Sequence, residues 1–168
     1  KPLALTHDEL DRIEAAWSAA ESPLLMVGFN RRFAPQAVKI RELLSTVREP
    51  KTFVMTVNAG VIPPEAWVQS PAQGGRILGE ACHWIDLLRY LTGSPIVSWQ
   101  VSTIGLTGGL RVADDKTSFT LSFADGSIGT VHYVGSGSKA FPKERLEVFT
   151  AGRTLQLGDF KTLRGWGW

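Results

Sequence analysis

From residue 96 onward the chain loses helical periodicity and reads as a series of period-two runs, "IVSWQVSTIGL", "KTSFTLSFA", "SIGTVHYVG", "ERLEVFTA" and "RTLQLGDF", with an Asp-Gly hairpin signal in "ADGS" at 124–127. Strands of this kind have one greasy face, and a sheet built from them needs a cover over that face. The chain before them supplies helices. "THDELDRIEAAWSAA" starts with Thr6 and has Glu9 three positions later as a capping box, followed by Leu10, Ile13, Ala16 and Trp17 at helical spacing. Pro35 to Val47 places Val38, Ile40, Leu43 and Leu44 at helical intervals, with proline acceptable in the first turn. A third helix is expected from Ile77 to Leu91, closed by Gly93 with Pro95 beyond it. Two further strands are expected: the apolar run "PLLMVGF" as a buried one, and "KTFVMTVNA", where Phe53, Met55 and Val57 share a side. Residues 59–76, rich in Gly and Pro, read as a long loop of the kind that often carries function. Helices first and strands afterwards is an α+β pattern: an open, largely antiparallel sheet with helices packed on one face.

Composition narrows the function classes. A chain of 168 residues with 43% apolar content suits one globular domain with a real core. Its 18 basic and 16 acidic residues leave a net charge of only +2, and the basic residues are scattered in pairs, which argues against nucleic acid as a partner. No apolar run approaches the roughly 18 residues of a membrane span. Cys82 is the single cysteine, so no internal disulfide can form, and a reducing, cytoplasmic setting is expected. No metal site is expected either, because His7 and His132 stand alone and Cys82 is rotated by about 100° from His83 on a helix.

The third helix carries the most chemistry. Glu80, His83 and Asp86 fall within about a third of its circumference, with the imidazole between two carboxylates. A carboxylate beside an imidazole fixes its tautomer and raises its basicity, as a general base removing an alcohol proton requires. The competing reading is a core histidine satisfied by Asp86 or a backbone carbonyl. In "AQGGR", Gly75 lets backbone approach a ligand and Arg76 follows it; the alternative is a plain turn into the helix. Asn30, Arg31 and Arg32 in "GFNRRFAP" fall at a strand end, where ligand contacts are common, or in a solvated loop. "VHYVGSGSKA" has the G-x-G-x-x-A spacing of a dinucleotide-binding turn, but "FPKERLEVF" follows it where a helix is required. It reads better as a flexible loop whose Lys139, Lys143 and Arg145 can meet an anion or sugar hydroxyls.

"KPLAL", "VGFNRRFAP", "GGRILGEACHWIDLLRYLTG" and "FPKERLEVF", in this order, resemble the C-terminal part of the Gfo/Idh/MocA oxidoreductases. The wording of "GEACH" and "FPKERLEVF" is similar to bacterial members associated with polysaccharide biosynthesis. The resemblance implies an NAD- or NADP-dependent dehydrogenase acting on a sugar, nucleotide sugar or polyol. Its cofactor would be bound mainly by a Rossmann domain ahead of residue 1, leaving residues 1–22 as the tail of that domain and a connecting helix, and residues 23–168 as the substrate-binding and oligomerisation domain. Lys1 and Pro2 match the end of the family's Glu-Lys-Pro motif, which places them at the cofactor, with Lys1 also at the substrate hydroxyl. His83 is implied as the catalytic acid/base and Asp86 as its orienting partner. The family pattern has an Asp four residues before the His, where Gly79 stands here. Glu80 beside it reaches around as its substitute, or the acid is dispensable, or this member works differently. A non-catalytic dimerisation and ligand-binding module of the same fold is the alternative. Family members commonly self-associate through the sheet, which implies a homo-oligomer.

Overall fold

A computed structural model describes residues 2–63, 65–104 and 115–168. Helix α1 runs His7–Ala19, α2 Pro35–Ser45 and α3 Cys82–Thr92. The strands are β1 Thr52–Asn58, β2 Ile96–Thr103, β3 Lys116–Phe123, β4 Ile128–Val134, β5 Glu144–Thr150, β6 Arg153–Gly158 and β7 Thr162–Trp166. They form one sheet in the order β2-β3-β4-β1-β5-β6-β7. Only the β1–β4 pair is parallel among the described neighbours. The expected α+β class with a largely antiparallel open sheet is the observed one.

Alternation along the strands decides which face is covered. Phe53, Met55 and Val57 of β1 share a side with Val131 and Tyr133 of β4 and with Leu146 and Val148 of β5, and all are buried. Ala37, Ile40 and Leu44 of α2 and Trp84, Leu87, Leu88 and Leu91 of α3 complete this core. Among the described residues, α2 and α3 both lie on this covered side, and the opposite face differs in character. Its central rows are polar, for example Ser118, His132, Thr56 and Arg145 on four adjacent strands, with Ser118 Oγ 2.8 Å from His132 Nδ1.

The Thr6–Glu9 capping box forms as expected, and Gly93 ends α3 in the left-handed conformation that glycine adopts without strain. Three expectations are corrected. The run "PLLMVGF" is not a buried strand: residues 23–29 are irregular, Leu24 is 97% exposed, and the sheet offers them no ladder partner. Helix α1 buries no residue fully, so it does not belong to the layer formed by α2 and α3. The third helix opens with a π-helical turn, Ile77–Ala81, before regular α geometry begins at Cys82. At the C-terminal end of the sheet, Arg164–Trp166 lie in β7, which pairs antiparallel with β6.

Candidate active site

His83 lies in the first turn of α3 and is only 5% exposed. Its ring meets Phe29 edge-on, with centroids 6.0 Å apart, and Trp84 at 6.1 Å. Yet it is not sealed in hydrocarbon. Together with Gly28, Asn30, Arg31, Glu80, Trp84 and Lys143 it lines a polar cavity of about 330 Å³. Segments far apart in sequence converge there: the turn Asn30–Phe33, the π-turn with the start of α3, and the approach to β5.

Glu80 borders this cavity and also a neighbouring one of about 380 Å³ that includes Gly75, Arg76 and Gly79. A π-turn is wider than an α-turn and recurs at functional sites. Here it delivers the Glu80 carboxylate to the same cavity as the imidazole. The Tyr133 hydroxyl, rising from the sheet, donates to Glu80 Oε2 at 2.5 Å. Burial and then the adjacent Glu80 carboxylate push the Tyr133 phenol well above its ordinary value of 10.

Arg31 closes another wall. Its Nε donates to Glu144 Oε1 at 2.6 Å, Trp84 Nε1 donates to the same oxygen at 2.9 Å, and the guanidinium lies 4.4 Å from the Trp84 ring centroid. Trp84 and Glu144 were not singled out in the sequence, although Trp84 follows His83 directly. Glu144 has no sequence signal, because its role depends on an arginine 113 positions away.

The other expected residues are placed differently. Asp86 gives both carboxylate oxygens to Arg32, with Arg32 Nε at 3.0 Å from Oδ2. Arg32 is also 5.2 Å from the Tyr90 ring centroid and does not line the His83 cavity. This pair clamps the Asn30–Phe33 turn to α3. Arg76 is 3% exposed and turned inward: it donates to Asp115 Oδ2 at 2.8 Å and to the carbonyls of Gly60 at 3.0 Å and Ala59 at 2.9 Å. It therefore fastens the 59–76 loop, and Gly75 beside it has a positive φ of 62° that a side chain would strain. Lys143 borders the His83 cavity, while Lys139 lies in an adjoining depression. Pro2 lines a separate cavity formed with α1. Lys1 lies outside the described residues.

The glycines of "GSGSKA" have a packing explanation. A side chain at Gly135 would collide with the Asp115 carboxylate, and one at Gly137 with the Asn58 amide. Residues 135–143 contain turns and lead into β5 with no helix, so this loop lacks the helix N-terminus on which the G-x-G-x-x-A fingerprint seats a dinucleotide. Among the described residues no cluster of His, Cys, Asp and Glu could hold a metal, and no helix is long and apolar enough to cross a membrane.

An open seven-stranded sheet, with α2 and α3 on one face and an ionisable cavity at the start of α3, defines a single-sheet α+β domain. The model described as the GFO/IDH/MocA C-terminal domain matches residues 39–155, and the chain belongs to that family. It is 31% identical over 120 residues to inositol 2-dehydrogenase 2 of Saccharopolyspora erythraea, covering 71% of this chain and 34% of that enzyme. Among solved structures, an NAD binding oxidoreductase from Klebsiella pneumoniae superposes with a TM-score of 0.81 at 21% identity, covering 98% of this chain and 48% of its own. The WlbA dehydrogenase from Bordetella pertussis, in complex with NADH and UDP-GlcNAcA, gives a TM-score of 0.76 at 21% identity over 99% of this chain and 54% of that one. The chain thus spans about a third to just over half of the length of these proteins.

Proposed function

We propose that this chain is the substrate domain of an NAD- or NADP-dependent dehydrogenase, in which the His83 cavity receives a carbinol of a sugar, nucleotide sugar or polyol. The observation that carries this reading is the position of His83, nearly buried yet lining an open polar cavity that Glu80 also borders. Low exposure keeps competing water from the imidazole, and the cavity gives a hydroxyl access to it. His83 takes the carbinol proton, and the Glu80 carboxylate, held by Tyr133, stabilises the imidazolium that results. Asn30, Arg31 and Lys143 supply hydrogen bonds that orient the remaining hydroxyls. The nicotinamide cofactor, bound by a nucleotide domain outside these residues, supplies the hydride acceptor. Lys1 and Pro2 would stand at the junction with it. The polar open face of the sheet is proposed as the surface through which copies associate.

Replacing His83 by Asn in the complete enzyme tests this reading. Turnover should fall by about 10²–10⁴-fold, the range general-base catalysis contributes, while the fold and cofactor affinity persist. Unchanged turnover would remove His83 from the reaction. A second reading, a ligand-binding module without turnover, is favoured by Gly79 standing where the family carries an Asp. Carbohydrate binding without any cofactor reduction by the complete protein would select it.

A further inference from the structure

The depression adjoining the His83 cavity, about 490 Å³, is lined by Lys139, Lys143 and Lys161, with Phe141 at its rim and Lys143 shared between the two cavities. Among the described residues none of the three lysines forms an ion pair. The two carboxylates beside them are otherwise engaged. Glu144 is bound by Arg31 and Trp84, and Asp159 Oδ1 accepts from the Glu144 amide at 2.7 Å. The region therefore carries a local positive excess that the nearly neutral whole-chain charge conceals.

The scaffold beneath these lysines is fixed. Asn58 Nδ2 donates to the carbonyls of Ser138 at 2.7 Å and Phe141 at 3.2 Å, and the Asn58 amide donates to Lys143 O at 2.7 Å, so one residue at the end of β1 holds the segment that presents Lys139, Phe141 and Lys143. Lys161 arrives from the β6–β7 hairpin. Asp159 and Phe160 both adopt positive φ, 47° and 53°, and the Asp159 amide donates to Glu144 O at 2.7 Å, which pins this hairpin to the start of β5. Two consecutive left-handed non-glycine residues are costly and persist only when the surroundings impose them. Their consequence is a third ammonium group brought beside the other two.

We propose that this depression is the subsite for the diphosphate of a nucleoside-diphosphate sugar, with Phe141 as the platform for the base and the sugar extending past Lys143 to His83. The assignment rests on the His83 cavity being the substrate cavity. Three ammonium groups against the one carboxylate of Asp159, Glu144 being paired with Arg31, leave a positive excess that matches a diphosphate better than the single charge of a sugar acid, and lysine serves phosphates as a point charge. Phe141 is 55% exposed, an apolar ring left in water beside the charged cluster, as a stacking surface for a base requires.

Calorimetric titration of the 168-residue chain with UDP and with pyrophosphate tests the subsite. Both probes should bind, more weakly as salt rises. The double variant Lys143→Ala/Lys161→Ala should lose at least about tenfold in affinity for each, and Phe141→Ala should weaken UDP but not pyrophosphate, while Lys39→Ala on α2 changes neither. Absence of binding by both probes, or affinities untouched by the lysine changes, overturns the proposal. Glucose 1-phosphate or glucuronate binding as tightly as UDP overturns the nucleotide assignment. The result is separable from the reading of His83: a lysine-dependent UDP site combined with undiminished turnover of His83→Asn would refute the acid/base role alone, and the converse pair would refute the subsite alone.

Discussion

Tyr133 on β4 and Glu80 in the π-turn come from different layers of the fold, and the phenol donates to the carboxylate at 2.5 Å. The bond ties the candidate acid/base site to the centre of the sheet, because Tyr133 is fully buried, packs 5.7 Å from the Trp84 ring and lies 5.5 Å from the Arg76 guanidinium. The position of the Glu80 carboxylate is thus set by the core rather than by its own helix.

Removing the hydroxyl with Tyr133→Phe should cost about 1.5–3 kcal/mol, the range for a hydrogen bond to a charged group, measured by urea denaturation. The same residue predicts alkaline behaviour. A phenol whose folded-state value is raised above the ordinary 10 contributes stability that is intact below pH 10 and is lost as pH climbs beyond it. Unfolding midpoints recorded across that range should fall for the wild type and fall less for Tyr133→Phe; equal slopes would contradict the assignment.

Asp115 governs the acid side. Burial alone would raise its carboxyl, but hydrogen bonds from Lys116, Gln69 and Arg76 hold it below the ordinary 3.8. A lowered folded-state value means stability present above pH 3.8 and surrendered as pH falls through the depressed value. Asp115→Ala would also strand the buried Arg76 charge, at a cost of about 3–5 kcal/mol. A smaller loss, under about 1 kcal/mol, would show that Arg76 finds another partner.

Gly135→Ala and Gly137→Ala should each destabilise the fold by about 1–3 kcal/mol, since the added methyl meets a side chain that is already anchored. The first meets Asp115, locked by Arg76, and the second Asn58, locked by two carbonyls. Combining Gly135→Ala with Asp115→Ala should cost less than the sum of the single changes, which a double-mutant cycle reads directly. Full additivity would mean the glycine matters for its backbone alone.

The exposed run at 23–29 separates hydrophobicity from burial. Leu24→Ser should change thermal stability by less than about 0.5 kcal/mol, whereas Leu87→Ala under α3 should cost about 2–5 kcal/mol. A large effect at Leu24 would place that side chain in a packed environment.

Where a pattern repeats along one element, the sequence was a reliable guide. The alternation of Phe53, Met55 and Val57 gave β1 and its buried side, Thr6 and Glu9 gave the start of α1, and Gly93 gave the end of α3. It misled where a partner was needed. "PLLMVGF" has the composition of a buried strand, but a strand exists only if another strand accepts its hydrogen bonds, and none of the described strands does. The angular argument for Glu80, His83 and Asp86 assumed an uninterrupted α-helix. The π-turn and Arg32 divide the set, leaving Glu80 and His83 at the cavity and Asp86 in a clamp.

By itself the sequence determined the class of fold and marked His83 as a candidate, because periodicity and residue chemistry are local properties. Tertiary structure alone decided that Arg76 is a buried fastener, that Glu144 and Trp84 form a wall of the cavity, and that three lysines from two loops share one depression. Those relationships join residues tens of positions apart, and chain spacing carries no information about distances that only the assembled sheet and its helices create.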